Sequence, residues 1–379
     1  MRCYLSAFIG IIVAWEWEKV MTATTAETSY NPDFTPTGIE GGLDTNALPW
    51  LAWPGLDGVF FKPLRASNES GAFSLILQIT ADTVLDQMVA LGGLDMLLLS
   101  GELTIDGSHL TAQLRPDIWG YVPANVVLER ITARTTTELL VNSFGALAQL
   151  EKVDTGHQIR QLFTALDMAT AAASAGINLV PNTLAECMQE RAAPNPADGV
   201  PLAMANASNT QFAGSDFSHA HFVDINGLPW IENPGLPDIA LKILRISEET
   251  GFVSLIVRHN GVAGPHYHLG AADFLVLSGH IGYRAGPPEG YGPGVWFYEP
   301  AGARHEATQR IGDHEDLIYT ANVYGPVQFD EGPGTPIVAV QSWMQYKEMA
   351  DAQGVTLVRN TLPGDTSLLA WSPVGQPAQ

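Results

Sequence analysis

Short apolar or alternating runs recur along most of the chain, separated by glycine, proline and polar residues. Alternation with a period of two is typical of a strand with one buried face, and a short, wholly apolar run is typical of a strand buried on both faces. Examples are Phe73–Ile79, Asp95–Leu103, Ser254–His259 and Asp273–Tyr283. The segments Gln158–Ala175 and Ser342–Gln353 instead have the pattern of helices. We therefore predict an all-β protein with antiparallel sheets and few helices.

The pattern of the first half returns in the second half at an offset of 180 residues. LPWLAWPGL begins at Leu48 and LPWIENPGL at Leu228, and GAFSLIL at Gly71 is matched by GFVSLIV at Gly251. Such a duplication indicates two copies of one folding unit. We predict two tandem antiparallel β-barrels of jelly-roll type, each followed by a short helix. The predicted boundaries are an N-terminal extension at 1–40, a first barrel at 41–184, a linker at 185–217, a second barrel at 218–362 and a tail at 363–379.

Composition and charge narrow the class of protein. Hydrophobic residues make up 46% of the 379 residues and charged residues only 15%, which is typical of packed domains. The net charge of −22 argues against nucleic acid or an anionic membrane as a partner. Cys3 and Cys187 form no metal or redox motif, which fits the cytoplasm. The apolar run Tyr4–Trp15 is too short for a membrane span. Residues 1–20 are interpreted as an upstream extension of the reading frame, with a signal peptide as the alternative.

Three histidines in the second half have the spacing of a metal site. His266 and His268 stand at i and i+2, so their side chains share one face of a strand. His305 follows in GPGVWFYEPAGARH, where a proline–glycine turn precedes the histidine. Three neutral imidazoles suit iron, zinc, copper, nickel or manganese. The sequence therefore predicts a metal site in the second barrel.

Aligning the sequences of the two repeats shows that only the second repeat has the three histidines. The positions of His266, His268 and His305 are occupied in the first repeat by Met88, Ala90 and Leu128. We therefore predict that the first barrel holds no metal of this kind and serves a structural or pairing role.

The same comparison of the two repeats bears on the role of an acidic residue in the second repeat. Asp273 corresponds to Asp95 in the repeat that lacks the histidines, which favours a structural role such as bonding backbone amides. A three-histidine site is favoured for that reason, and a site in which Asp273 is a fourth ligand remains the alternative.

The second repeat resembles a family of cupin dioxygenases. The resemblance covers about Asp224–Gln345, and the segments VDINGLPW, PHYHLGAADFLVLSGHIGYRAG, YEPAGARHEAT and NVYGPVQFDE carry it. The family comprises acetylacetone-cleaving dioxygenases and 2,4'-dihydroxyacetophenone dioxygenases, and more loosely the ChrR-type cupins. The whole chain would then be a bicupin, with two tandem cupin barrels.

The resemblance implies a non-haem Fe(II) held by His266, His268 and His305, with zinc, nickel or manganese as other metals such a site takes. It further implies that Glu299 orients His305, that Arg284 projects into the pocket, and that Thr308 supplies a hydroxyl group. The implied substrates are dioxygen and a β-diketone or hydroxyacetophenone-like ketone, whose C–C bond is cleaved.

Two other functions remain open from the sequence. One is a non-catalytic, metal-binding sensor or regulatory module like the ChrR cupins. The other is a zinc or nickel cupin acting as an isomerase, lyase or hydrolase without dioxygen. A homodimer is the default assembly because many cupins pair through their barrel faces, although the two barrels of this chain could satisfy that contact internally.

Overall fold

The computed structural model describes residues 42–107, 111–154, 156–183, 211–212, 220–283, 286–305, 307–331, 335–362 and 364–371. The predicted N-terminal extension and most of the predicted linker lie outside these ranges. No helix in the described ranges is long and apolar enough to cross a membrane.

Strands dominate both halves. In chain order, the first half contains β1 (Leu43–Asp44), β2 (Leu51–Ala52), β3 (Val59–Ala66), β4 (Phe73–Ile79), β5 (Val84–Ala90), β6 (Leu94–Ser100), β7 (Leu103–Asp106), β8 (Thr111–Leu114), β9 (Ile118–Val122), β10 (Val127–Ala133), β11 (Thr137–Ser143), β12 (Leu147–Val153), β13 (Gly156–Phe163), helix α1 (Ala165–Ser174) and β14 (Gln211–Phe212).

The second half follows a similar order, except that β5 and β10 each correspond to two strands, β8 has no counterpart, and two strands follow the helix. It contains β15 (His221–Asp224), a 3-10 turn (Ile225–Gly227), β16 (Ile231–Glu232), β17 (Ile239–Ser247), β18 (Val253–His259), β19 (Val262–Ala263), β20 (His266–His268), β21 (Ala272–Ser278), β22 (Ile281–Tyr283), β23 (Val295–Glu299), β24 (Arg304–His305), β25 (Thr308–Arg310), β26 (Ile318–Val323), β27 (Val327–Asp330), β28 (Ile337–Gln341), helix α2 (Trp343–Ala352), β29 (Leu357–Arg359) and β30 (Ser367–Ala370).

The strands form antiparallel sheets in two tandem barrels, so the predicted all-β bicupin fold is confirmed. The first barrel has two sheets, ordered β14-β13-β12-β5-β10-β7-β8 and β15-β9-β6-β11-β4-β3-β2. In the second barrel the main sheet runs β1-β23-β21-β26-β18-β17-β30-β29, with β16 beside β17. Two smaller sheets, β24-β20-β27-β28 and β19-β25-β22, complete it. The segment predicted as a tail includes β30, whose four residues are buried against β17.

Equivalent hairpins in the two barrels have the same register. Lys62 pairs with Ile76 in the β3–β4 hairpin, and Lys242 pairs with Ile256 in the β17–β18 hairpin. Both hairpins place a glycine at φ 75° in the connecting turn, a left-handed conformation that other residues adopt only with strain. The repeated glycine therefore preserves the turn that sets this register.

The two barrels exchange their first strands. Strand β1 pairs with β23 of the second barrel, where Leu43 lies opposite Trp296. Strand β15 pairs with β9 of the first barrel, where Val223 lies opposite Trp119. Trp119, Val223 and Trp296 are buried in one apolar cluster that includes residues of both barrels. The barrels therefore share a core across their contact, and the exchange is reciprocal.

A buried arginine of each barrel contacts the other barrel, and the two arginines occupy equivalent positions in the repeats. Arg245 stacks 4.0 Å from the ring centre of Tyr121 and lies 3.5 Å from the carboxylate of Asp95. At the equivalent position of the first repeat, Arg65 stacks 4.3 Å from the ring centre of Tyr298. An arginine can stack on a ring and face a carboxylate at once because its guanidinium is planar. Each barrel therefore contributes one buried arginine to the other.

The second helix has the predicted bounds, and the first helix does not. Helix α2 begins after the cap Ser342 and ends before Gln353, as predicted. The prediction that the first helix begins near Gln158 is wrong, because the helix begins only after the cap Thr164. The preceding residues form β13, which pairs with β12 and buries Phe163 in the barrel core. Burial in the sheet outweighs local helix propensity there.

Candidate metal centre

The two strands that carry the predicted ligands are neighbours. Strand β20 pairs with β24, and His266 lies directly opposite His305. His266 and His268 are both buried, and their ring centres are 5.0 Å apart. The side chain of His305 lies outside the described part of the structure. Among the described side chains, no three histidine, cysteine, aspartate or glutamate residues form a group that could hold a metal.

The turn before His305 is tied to the strand of His268. Gly302 adopts φ 83°, and its N–H donates a 2.7 Å hydrogen bond to the carbonyl oxygen of His268. The N–H of His268 in turn donates to the carbonyl oxygen of Ala303 at 2.8 Å. This close approach explains why the sequence has a proline–glycine turn just before the third histidine.

Hydrogen bonds orient the two described imidazoles. Nδ1 of His266 lies 2.7 Å from the carbonyl oxygen of Gly264, which as an acceptor requires the proton on Nδ1. Nε2 of the same ring then carries the lone pair that a metal would use. Nε2 of His268 lies 2.6 Å from Oε2 of Glu299, and the hydroxyl of Tyr283 donates to Oε1 of Glu299 at 3.2 Å. The carboxylate is itself buried, at 2% exposure.

These side chains line an inner cavity of about 120 Å³ in the second barrel. Thr308, at 3% exposure, lines the same cavity. Of the predicted site residues, His266, His268, Glu299 and Thr308 therefore meet in one place. Arg284 lies outside the described residues. The resemblance assigns Glu299 to His305, whereas the described partners of its carboxylate are His268 and Tyr283.

Three further titratable residues that the sequence did not single out for the site line the inner cavity: His259, Tyr283 and Tyr319. Nδ1 of His259 lies 3.0 Å from the hydroxyl of Tyr319. Burial raises the pKa of both tyrosines well above the usual value, and the nearby charge of Glu299 raises it further, so both hydroxyls stay protonated. The alternation of strand β18 could have indicated His259. Leu255, Val257 and His259 are spaced two residues apart, so they share one face of the strand, and all three line the same cavity.

An outer vestibule of about 910 Å³ adjoins the inner cavity. Both are lined by Asn233, Leu236, Phe329 and Gln341. The vestibule adds apolar side chains from β28 and α2, among them Val338, Val340 and Met349. Its charged lining consists of acids, and no lysine or arginine lines it within the described residues. A neutral molecule with an apolar substituent fits this lining better than an anion does.

Asp273 does not line the inner cavity in the described part of the chain. Its carboxylate accepts hydrogen bonds from the hydroxyl of Tyr324 at 2.6 Å and from Nδ2 of Asn322 at 3.1 Å. Burial raises the pKa of Asp273 to about 6, although the Tyr324 hydrogen bond, the charge of Arg65 and the Asn322 hydrogen bond lower it. The described partners are thus side chains, whereas the sequence suggested backbone amides.

The first barrel has apolar residues at the corresponding places. Met88 pairs with Leu128, as His266 pairs with His305. Ala90 pairs with Leu147, whereas His268 pairs with Val327. The same strand geometry therefore presents no nitrogen or oxygen ligand at these positions in the first barrel.

Fold and site together define a two-barrel cupin. The model of the ChrR cupin-like domain matches residues 40–148 and 218–324, which together make up more than half of the chain. The chain belongs to this family, and the family domain occurs in it twice. No curated protein matches the sequence.

Several solved structures are similar to this chain at low identity. A candidate acetylacetone dioxygenase from Methylibium petroleiphilum PM1 is 22% identical, covering 34% of this chain and 92% of its own, with a TM-score of 0.30. A candidate dioxygenase from Nostoc punctiforme PCC 73102 is 12% identical, covering 79% and 85%, with a TM-score of 0.47. Bacillus subtilis oxalate decarboxylase is 12% identical in one mutant, covering 75% and 76%, with a TM-score of 0.41.

Proposed function

We propose that the second barrel is the active site of a non-haem Fe(II)-dependent dioxygenase that cleaves a C–C bond of a β-diketone or hydroxyacetophenone-like ketone. The proposed ligands are His266, His268 and His305. The observation that carries the proposal is the meeting of two buried imidazoles and a buried carboxylate in a cavity that adjoins an apolar vestibule.

The donor set fits a divalent transition metal. The hydrogen bond from His266 to the Gly264 carbonyl fixes the ring tautomer, as the second partner of a metal-ligating histidine commonly does. Three neutral imidazoles would leave the metal its full positive charge and open coordination positions. When bound, Fe(II) would supply the Lewis acidity that stabilises an enolate and the redox chemistry that dioxygen requires.

The protein's own groups have separate roles in this proposal. Glu299 orients His268 and is itself held by the Tyr283 hydroxyl. Its carboxylate is also the described group in the cavity best suited to accept a proton from the carbon between two carbonyls. The Thr308 hydroxyl and the Arg284 guanidinium would contact substrate oxygens, as the family resemblance implies.

The lining of the vestibule supports a neutral substrate. Glu331 and Glu348 line it, so a dicarboxylate would meet like charge on approach. Val338, Val340 and Met349 would instead pack against an alkyl or aryl substituent. A diketone satisfies both conditions because it is neutral in water and ionises only when its enolate forms at the site.

Oxygen consumption tests the proposal. Protein reconstituted anaerobically with Fe(II) is mixed with a panel of β-diketones and hydroxyacetophenones, with oxalate as the anionic control. We expect oxygen uptake with a neutral ketone, loss of uptake in His266→Ala/His268→Ala, and normal uptake in His280→Ala, a change at an exposed histidine. Iron binding with no uptake over the whole panel would overturn the dioxygenase and favour a non-catalytic metal-binding role. Turnover that persists without dioxygen would favour an isomerase, lyase or hydrolase.

A further inference from the structure

The first barrel also contains a cavity, and its lining is apolar throughout the described residues. The cavity has a volume of about 80 Å³. Side chains from both sheets of the barrel line it, including Trp53, Met88, Ala90, Met96 and Leu128. Most of them belong to the buried core of the barrel.

This cavity occupies the place that the metal centre has in the second barrel. Met88, Ala90 and Leu128 stand at the positions of the three histidines, and Met88 pairs with Leu128 in the equivalent register. Apolar residues have thus replaced the polar lining, yet the space has not been filled. The remaining volume is about two-thirds of the 120 Å³ in the second barrel.

The apolar lining determines which kind of molecule the cavity can bind. A water molecule needs two to four polar partners, so an apolar cavity of this kind stays dry. A charged or hydrogen-bonding ligand would lose its hydration without finding a partner. A neutral apolar molecule, in contrast, gains dispersion contacts and removes its own apolar surface from water.

The size of the cavity limits the occupant further. An engineered apolar cavity of about 150 Å³ takes up benzene or xenon. The cavity here is about half that size, but the side chains of Met88 and Met96 are unbranched and can move aside. We propose that the first barrel binds a small neutral apolar molecule, no larger than one aromatic ring or a short hydrocarbon chain, in this cavity.

Methionine methyl groups give a direct test on the full chain. The protein is labelled with ¹³C at its methionine methyl groups and titrated with benzene, and the resonances are assigned by Met→Leu substitutions. We expect saturable shifts of the Met88 and Met96 signals with a Kd below about 1 mM. The signal of Met344, which is exposed, serves as an internal control and should not follow that curve. Benzoate, the charged counterpart of benzene, should cause no such shift.

Two variants change the volume in opposite directions. Ala90→Val fills part of the cavity and should weaken benzene binding at least tenfold, whereas Leu128→Ala enlarges it and should tighten binding several-fold. Because Leu128→Ala removes side-chain volume rather than adding it, the test does not depend on whether the filled variant folds. The proposal is overturned if Met88 and Met96 show no saturable shift, if benzoate shifts them equally, or if binding is the same in Leu128→Ala.

Discussion

Replacing Asp273 by asparagine should change how the stability of the protein depends on pH. Asp273 is 1% exposed, and asparagine has nearly the same shape but cannot ionise. Burial raises the pKa of this carboxyl from 3.8 to about 6 in the folded protein. The folded chain therefore holds the proton more tightly than the unfolded chain, so the stability that comes from this group is complete below about pH 3.8 and is lost as the pH rises through about 6.

The size of the effect follows from the shift. A shift of about 2 pKa units corresponds to about 3 kcal/mol when the pH is well above both pKa values. Between pH 5 and pH 8, about half of this free energy remains to be lost. The free energy of unfolding of Asp273→Asn should therefore rise relative to the wild type by about 1.4 kcal/mol over that range.

Urea unfolding of both proteins at pH 5, 6, 7 and 8 measures this difference directly. The change with pH is the decisive quantity, because the constant offset also includes the altered hydrogen bond with Tyr324 and the lost attraction to the charge of Arg65. Asp95→Asn is a matched control in the other barrel, where burial also raises the pKa to about 6 despite the charge of Arg245, and it should show the same sign. The reasoning is refuted if the difference in the free energy of unfolding between Asp273→Asn and the wild type stays constant from pH 5 to pH 8. It is also refuted if the variant becomes less stable relative to the wild type as the pH rises.

Three further predictions concern the barrel contact and the site. Arg245→Met leaves the buried Asp95 carboxylate without its ion pair and should lower the free energy of unfolding by about 3 kcal/mol, measured by thermal unfolding, with partial recovery when Asp95→Asn is added. Glu299→Gln should weaken metal binding by about 10- to 100-fold in a chelator competition, whereas Asp273→Asn, a buried acid of the same barrel outside the inner cavity, should not. Thr308→Val should lower the rate of oxygen uptake without changing metal content, and an equal loss of both would contradict a role in substrate contact.

The sequence predicted the parts of this structure that depend on short-range pattern and on the repeat. Alternation within one strand was enough to put His266 and His268 on one face, and both line the inner cavity. The overlay of the repeats also identified Met88 and Leu128 as equivalent positions, and these two residues pair across β5 and β10.

Features that depend on long-range packing were not predictable in this way. Tyr283 and Tyr319 enter the site from separate strands, and no local motif connects them with the histidines. The exchange of β1 and β15 depends on pairing with strands far away in the chain, which a two-residue strand such as β1 does not encode. The start of the first helix was misplaced because β13 gains its stability from its partner β12 rather than from its own propensity.

The metal content of the purified protein shows whether the second barrel is a metal centre. Elemental analysis of the purified wild type, of His266→Ala/His268→Ala and of His280→Ala would show whether the second barrel holds the metal. We expect about one iron per chain in the wild type and in His280→Ala, and none in the double variant. Metal retained by His266→Ala/His268→Ala would contradict the assignment of these histidines as ligands, and zinc or nickel in place of iron would contradict the dioxygenase.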